Sequence, residues 1–169
     1  MVKIKKTILL AMLGIATAVG GGLYYQQQSE QEQLATRAQH ILARGIALYE
    51  EDRYGEALQM LETMPAQAPP DWHFPYYKGM VLVQLKDYER AAGHLEESIV
   101  LDSTQIAPLF ALGVTYFKLG KLGLSKSYFA AVLKIDPENE EARGLMDTMA
   151  SLERMQVEQP EQAVESDGG

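Results

Sequence analysis

A glycine that recurs every 34 residues is the feature that most constrains the fold of this chain. Gly45, Gly79 and Gly113 stand 34 residues apart. Three further columns follow the same step: Ala57/Ala91/Ser125, Tyr54/Tyr88/Leu122 and Leu61/Leu95/Phe129. Four columns in phase at this period indicate a solenoid of helical hairpins. The predicted repeats are residues 38–71, 72–105 and 106–139.

Glycine inside a helix costs about 1 kcal/mol relative to alanine, so a periodic glycine needs a reason in the packing. In each predicted first helix the glycine is flanked by large residues at i−4 and i+3, which places all three on one helix face. The rows are Ile41/Gly45/Leu48, Pro75/Gly79/Leu82 and Leu109/Gly113/Tyr116. We expect the second helix of each hairpin to approach closely at the glycine, with the Ala57/Ala91/Ser125 column supplying the small partner.

The third repeat, ALGVTYFKLGKLGLSKSYFAAVLKIDP, resembles the tetratricopeptide repeat family. Leu112-Gly113, Tyr116, Phe129 and Pro137 stand where the family pattern has L-G, Y, F and P. The resemblance implies an all-α fold of helix–turn–helix units. The departures from the pattern are local: Ser103 for the closing proline, Ser125 for a small alanine, and Arg44 and Lys78 for the leucine before the glycine.

A fourth amphipathic segment follows the third repeat at residues 140–156. Its apolar residues form one stripe among charged positions: Ala142, Leu145, Met146, Met149 and Leu152. Repeat arrays need a terminal element that covers the last apolar face, so this segment is predicted to be a capping helix. The stripe lacks a basic face, which disfavours a calmodulin-target or membrane-surface helix.

The N-terminus carries a basic start followed by an apolar stretch. Lys3, Lys5 and Lys6 precede the uncharged residues 7–25, long enough for a helix to cross about 30 Å of hydrocarbon. A cleavable signal peptide ending at Ala18 is the alternative, but it would leave an apolar stub on the mature chain. We predict that residues 1–25 are a signal anchor with one transmembrane helix, and that the rest lies on the non-cytoplasmic side, the periplasm in a bacterium.

Two polar segments complete the predicted organisation. Residues 26–37 are polar and are predicted to link the anchor to the repeats. Residues 157–169 are acidic, contain proline and glycine and lack aromatic residues, which predicts a disordered tail.

Charge and cysteine content exclude several classes of function. The net charge is −8, and no basic stripe follows the N-terminal lysines, so nucleic acid is not an expected partner. The absence of cysteine excludes disulfides, thiolate catalysis and cysteine-ligated metals. His40, His73 and His94 have no metal-ligand spacing, and no nucleophile or phosphate-loop motif appears. We therefore expect neither a metal, nor another cofactor, nor enzymatic activity.

A second apolar row on each first helix indicates a binding surface instead. It is rotated by one residue from the glycine row and has more apolar residues than one packed helix face requires. The resemblance implies that these positions line the concave groove of the array. The predicted groove residues are Leu42, Ile46, Tyr49, Tyr76, Met80, Val83, Phe110, Val114 and Phe117.

Members of the family that hold the acidic C-terminal peptide of heat-shock chaperones carry a clamp of lysines, asparagines and an arginine. The corresponding positions here hold Gln39, Ala43, Ile46, His73 and Tyr77, so such a ligand is not expected. We predict a membrane-tethered scaffold that binds an apolar or aromatic segment of another envelope or membrane protein, as in envelope assembly or secretion. The alternative is a self-assembling structural scaffold, a homo-oligomer in which the apolar face packs on a copy of itself. Gly14, Ala18 and Gly22 form a small-residue row that could pair two anchors.

Overall fold

The computed structural model describes the backbone of residues 2–158 and the side chains of residues 22–155. Within this part of the chain the structure consists of helices joined by turns and one longer loop. The helices are α1 (Val2–Glu50), α2 (Tyr54–Glu62), α3 (His73–Gln84), α4 (Tyr88–Leu101), α5 (Ile106–Lys118), α6 (Leu122–Ile135) and α7 (Glu140–Glu158). Each predicted repeat range contains one helical hairpin: the end of α1 with α2, α3 with α4, and α5 with α6. The prediction of an all-α array is confirmed.

The hairpins stack in chain order, because each helix packs against the next one from α1 to α7. The first helices also touch one another, α1 on α3 and α3 on α5. Among the described residues, no contact of similar extent joins α2 to α4 or α4 to α6. The stack therefore curves so that α1, α3 and α5 lie on its inner side. This inner side is the face on which the predicted groove residues lie.

The periodic glycines lie where the two helices of a hairpin cross. A Cβ atom built on Gly45 would lie 2.6 Å from Leu61 Cδ2, and one built on Gly113 would lie 2.8 Å from Phe129 Cε1. The large residue sixteen positions later lies over each glycine, a contact that the sequence analysis did not predict. The predicted small residue twelve positions later also meets the crossing: a Cβ on Gly79 would lie 3.2 Å from the Ala91 carbonyl oxygen, and Ser125 Oγ donates a hydrogen bond of 2.7 Å to the Gly113 carbonyl.

Each hairpin turns through a residue with left-handed backbone. Asp52 has φ 59°, Lys86 has φ 62° and Gly120 has φ 70°, and these positions are again 34 residues apart. The amide after each of them closes the preceding helix, as in the 2.9 Å bond from the Asp87 amide to the Leu82 carbonyl. The sequence marks this position with glycine in the third repeat alone, and the first two repeats accept the strain of a side chain there.

The first helix is longer than the repeat requires. Residues 26–37, predicted to be a polar linker, lie within α1. Side chains one turn apart support the exposed helix, with Gln26 Nε2 donating to Glu30 and Gln28 Nε2 donating to Glu32. In the described part of the chain no helix is both long and apolar enough to span a bilayer. The side chains of residues 7–21 of the predicted anchor lie outside the described residues, as do residues 159–169 of the predicted tail.

The first hairpin has a shortened second helix. Helix α2 has 9 residues, whereas α4 and α6 have 14 each. It ends at Glu62, three residues before Pro65, which has no amide hydrogen to continue the helix. Residues 63–72 follow as a loop before α3. At the other end of the array, Ala142 and Met149 of α7 are fully buried against the α5–α6 hairpin, as expected of a capping helix.

Candidate peptide-binding groove

All nine predicted groove residues lie on the inner helices, and all nine are half-buried. Leu42, Ile46 and Tyr49 are on α1, Tyr76, Met80 and Val83 are on α3, and Phe110, Val114 and Phe117 are on α5. The glycine rows beside them are buried, with Leu48, Leu82 and Leu109 each less than a tenth exposed. The one-residue rotation between the two rows therefore separates core positions from a partly open apolar surface.

Aromatic rings dominate this surface in the first two repeats. The ring centroids of Tyr49 and Tyr77 are 6.3 Å apart, those of Tyr76 and Tyr77 are 5.0 Å apart, and those of Trp72 and Tyr76 are 5.8 Å apart. Edge-to-face and tilted contacts of this kind hold the rings in fixed positions. Tyr54 continues the run through Tyr49, at 5.6 Å. Burial and the neighbouring tyrosines raise the pKa of Tyr76, so its hydroxyl stays neutral.

Trp72, Tyr77 and Tyr54 were missed as surface residues by the sequence analysis. Tyr77 follows Tyr76 directly, so it belongs to neither helical row and its contact with Tyr49 depends on how two helices meet. Trp72 is the residue just before α3, so neither helical row includes it. The clustering of aromatic residues between positions 72 and 77 was the available signal.

The third repeat offers less free surface than the first two. Phe110, Val114 and Phe117 pack against a core cluster that includes Phe129 and Met149, and the rings of Phe110 and Phe129 meet edge to face at 5.3 Å. Met149 belongs to α7, so the capping helix covers part of this row. Among the nine residues, Ile46 and Val83 are the two outside all three core clusters of the described residues.

The groove contains few charges. At the positions where the family carries its clamp, Gln39 and Ala43 are exposed, and His73 Nδ1 lies 2.7 Å from Asp71 Oδ1. Gln84 Nε2 donates to the Tyr49 hydroxyl at 3.4 Å. No lysine or arginine is available there to bind a carboxylate-rich peptide. The groove can instead bury apolar or aromatic side chains and offers tyrosine hydroxyls as hydrogen-bond partners.

The described residues contain no cluster of three or more His, Asp or Glu side chains that could hold a metal ion. His94 is half-buried in α4, and burial together with the nearby Lys78 lowers its pKa. Glu97 lies 3.3 Å from its ring and opposes that shift. His94 and Glu97 lie on α4, outside the inner helices that carry the groove.

Comparison with known proteins supports the same fold. Residues 107–139 match the family model of the tetratricopeptide repeat. The array is a tetratricopeptide fold. No curated protein matches the sequence. Solved tetratricopeptide structures match most of the chain, and at this level of identity they bear on its architecture.

Three of those structures illustrate the range of sequence identity and TM-score. The second tetratricopeptide domain of human RPAP3, solved with an HSP70 peptide, is 23% identical and gives a TM-score of 0.65 over 69% of this chain and 98% of that one. The first domain of human RPAP3 is 18% identical, with a TM-score of 0.67 over 74% and 98%. The Yersinia enterocolitica type III secretion translocator chaperone SycD is 16% identical, with a TM-score of 0.58 over 75% and 96%.

Proposed function

We propose that this protein is a membrane-tethered scaffold that binds an apolar or aromatic segment of a partner protein in its tetratricopeptide groove. The observation that carries the proposal is the half-buried row on α1, α3 and α5, beside glycine rows that already fill the core. A second apolar face that the fold does not need is typical of an interaction surface. Its aromatic residues are of the type that supplies most of the binding energy in protein interfaces.

The chemistry of the groove selects against an acidic peptide. The second domain of human RPAP3 was solved with the HSP70 peptide SGPTIEEVD, and the first tetratricopeptide domain of Spaghetti (RPAP3) with the HSP90 peptide SRMEEVD. Both peptides end in Glu-Glu-Val-Asp. In this protein the clamp positions hold no lysine or arginine, and residues 22–155 carry 19 Asp and Glu against 12 Lys and Arg. An acidic ligand would meet repulsion without a compensating ion pair. The ligand is therefore an apolar segment that is neutral or basic.

Tethering by residues 7–25 is the second part of the proposal. The three lysines before this stretch keep the N-terminus in the cytoplasm, and the repeats lie across the membrane, in the periplasm of a bacterium. Because α1 runs without a break through residues 26–37, the groove sits at the end of a helical stalk. We infer that the partner is itself a membrane or envelope protein, as in secretion or envelope assembly. The similar fold of SycD, a type III secretion translocator chaperone, supports this inference by analogy.

Site-specific photo-crosslinking in native membranes tests the groove. A photoreactive phenylalanine at Val83 on the inner face should give an adduct with a second protein. The matched control is the same replacement at Val100, which lies in α4 and is 85% exposed. A partner adduct from position 100 and none from position 83 would place the binding surface on the outer face and refute the groove.

The alternative function, a self-assembling scaffold, has its own observation. Val100, Leu101 and Ile135 are exposed apolar residues at the ends of the outer helices α4 and α6. An adduct at twice the mass of this chain, from either position, would favour self-assembly. Light scattering of the full chain in detergent over a range of concentrations separates a fixed mass from growth.

Intact-mass analysis of the membrane fraction tests the tether. We expect a mature chain that retains its N-terminal lysines. A mature protein that begins at Val19 would replace the anchor with a cleaved signal peptide and leave the groove proposal standing.

A further inference from the structure

A cavity of about 720 Å³ opens beside the groove, between the first two hairpins. Its walls are residues 35–42 in the last third of α1, the loop after α2, the start of α3 and the end of α4. Most lining side chains are apolar, including Leu42, Leu61, Met64, Trp72 and Phe74. Leu42 belongs to both the groove and the cavity, so the two are continuous.

The cavity exists because one helical turn is missing. In the second and third hairpins the outer helix runs for 14 residues, whereas α2 stops after 9. The missing residues would have extended α2 toward the start of α3. The chain instead leaves as the loop 63–72, and the space that the missing turn would fill stays open to solvent.

The outer wall of the cavity is conformationally restricted. Pro65, Pro69 and Pro70 line it, and each proline ring fixes its own φ angle. The Ala68 amide also closes a turn by donating to the Pro65 carbonyl at 3.0 Å. On the inner side, Ser98 Oγ donates to the Trp72 carbonyl at 2.8 Å and fixes the start of α3 to α4. A ligand that enters would therefore lose little free energy in ordering these walls.

The polar groups that line the cavity are mostly acidic. Glu62, Asp71, Glu97 and Asp102 line it, and among the described residues that line it Lys78 is the one cation. Three of these carboxylates already have a basic neighbour outside the lining: Arg90 lies 3.7 Å from Glu62, His73 lies 2.7 Å from Asp71 and His94 lies 3.3 Å from Glu97. The Glu62, Asp71 and Glu97 side chains are between 48% and 59% exposed, so they form a rim in contact with solvent. An apolar interior with an acidic rim is complementary to a segment whose apolar side chains are flanked by lysine or arginine.

We propose that this cavity is a second docking site, for an apolar peptide segment flanked by basic residues. The apolar side chains occupy the space that the missing turn leaves, and the flanking ammonium or guanidinium groups pair with the carboxylates of the rim. The proposal does not depend on the aromatic row of the groove. Because Leu42 joins the two surfaces, one partner chain could cross both.

Trp72 provides a direct test, since it lines the cavity and is the only tryptophan of the chain. The full-length protein in nanodiscs of zwitterionic lipid is titrated with a synthetic peptide of leucine and alanine flanked on each side by two lysines. A matched peptide carries glutamates in place of the lysines, and neither contains tryptophan or tyrosine. We expect a saturable change in Trp72 emission with the lysine peptide and none with the glutamate peptide.

Variants assign the effect to the cavity. The double variant Glu62→Gln, Glu97→Gln should bind the lysine peptide with roughly fivefold lower affinity, as expected for the loss of two screened charges. The control Glu89→Gln with Glu138→Gln removes two carboxylates that do not line the cavity and should leave the titration unchanged. Ala38→Leu, which adds bulk from α1 into the cavity, should weaken binding by about tenfold while the circular dichroism of the helices is retained.

Three results would overturn the proposal. The first is an equal response to the lysine and glutamate peptides, or no response to either. The second is loss of the response in Val83→Ser, which would move the peptide into the groove. The third is an emission change that grows with protein concentration in the absence of peptide, which would assign the cavity to a second copy of the chain. A negative result here with a crosslink from position 83 would leave the groove proposal intact.

Discussion

The side chain of Leu95 lies directly over Gly79, at the crossing of α3 and α4. A Cβ atom built on Gly79 would be 2.7 Å from Leu95 Cγ and 3.2 Å from the Ala91 carbonyl oxygen. Leu95 is fully buried, so it has no free space into which to withdraw. The conformational cost of a helical glycine is thus offset by the close packing of a leucine from the second helix.

We expect Gly79→Ala to lower the free energy of unfolding by about 1–2 kcal/mol, because overpacking outweighs the gain in helix propensity. Gly93→Ala is the matched control: Gly93 is also inside a helix, but an added Cβ there meets no atom within 4 Å. That control should raise stability by about 0.5–1 kcal/mol. Urea unfolding followed by circular dichroism measures both. Equal gains from the two substitutions would contradict the crossing-point packing.

The hairpin turns give a second matched pair. Lys86 and Gly120 occupy equivalent left-handed positions, with φ of 62° and 70°. Lys86→Gly should raise the free energy of unfolding by about 1 kcal/mol, and Gly120→Ala should lower it by a similar amount. Thermal unfolding of the two variants beside the parent protein checks the signs. A destabilised Lys86→Gly would show that the lysine side chain contributes more than its backbone strain costs.

Tyr116 gives a prediction about alkaline pH. Its hydroxyl donates to Glu96 Oε1 at 2.5 Å, and this hydrogen bond, with burial, raises the pKa of Tyr116 to about 12. Because the folded pKa exceeds that of the unfolded chain, the stabilisation is complete below about pH 10 and is lost as the pH rises toward 12. Tyr116→Phe should lower stability at neutral pH by about 1 kcal/mol and flatten its decline above pH 10. A phenolate absorbance titration in which every tyrosine ionises near pH 10 would refute it.

The groove should be separable from the core by substitution. Ile46→Ser with Val83→Ser removes two groove side chains that lie outside the core clusters, so we expect a small loss of stability and partner binding weakened by at least tenfold. The control Val100→Ser makes the same change on the outer side of α4 and should leave binding unchanged. Phe110 is a poorer test, because its ring contacts Phe129 in the core. Titration with the crosslinked partner, alongside thermal unfolding, distinguishes binding from folding. Unaltered affinity in the double variant would place the site elsewhere.

The 34-residue period, shared by the glycine and three further columns, was sufficient to predict the repeat architecture, because stacked helical hairpins use the same packing positions in every repeat. The one-residue rotation between two helical rows likewise separated the buried Leu82 from the half-buried Val83. The separation of the two rows follows from the periodicity of a single helix, and the repeat follows from self-similarity along the chain. A sequence shows both without knowledge of which helices become neighbours.

Only the tertiary structure determined which side chains meet where helices cross, how far α1 extends and where a cavity forms. The sequence predicted the approach of Ala91 to Gly79 but not the Leu95 side chain that also lies over the glycine, because side-chain direction and crossing angle select that contact. Residues 26–37 look like a linker, yet they continue α1, since no residue there stops a helix that is already formed. The cavity beside Trp72 arises from the early end of α2. Its volume and acidic rim come from three separate stretches of the chain, residues 35–42, 61–78 and 97–102, and no local pattern brings those together.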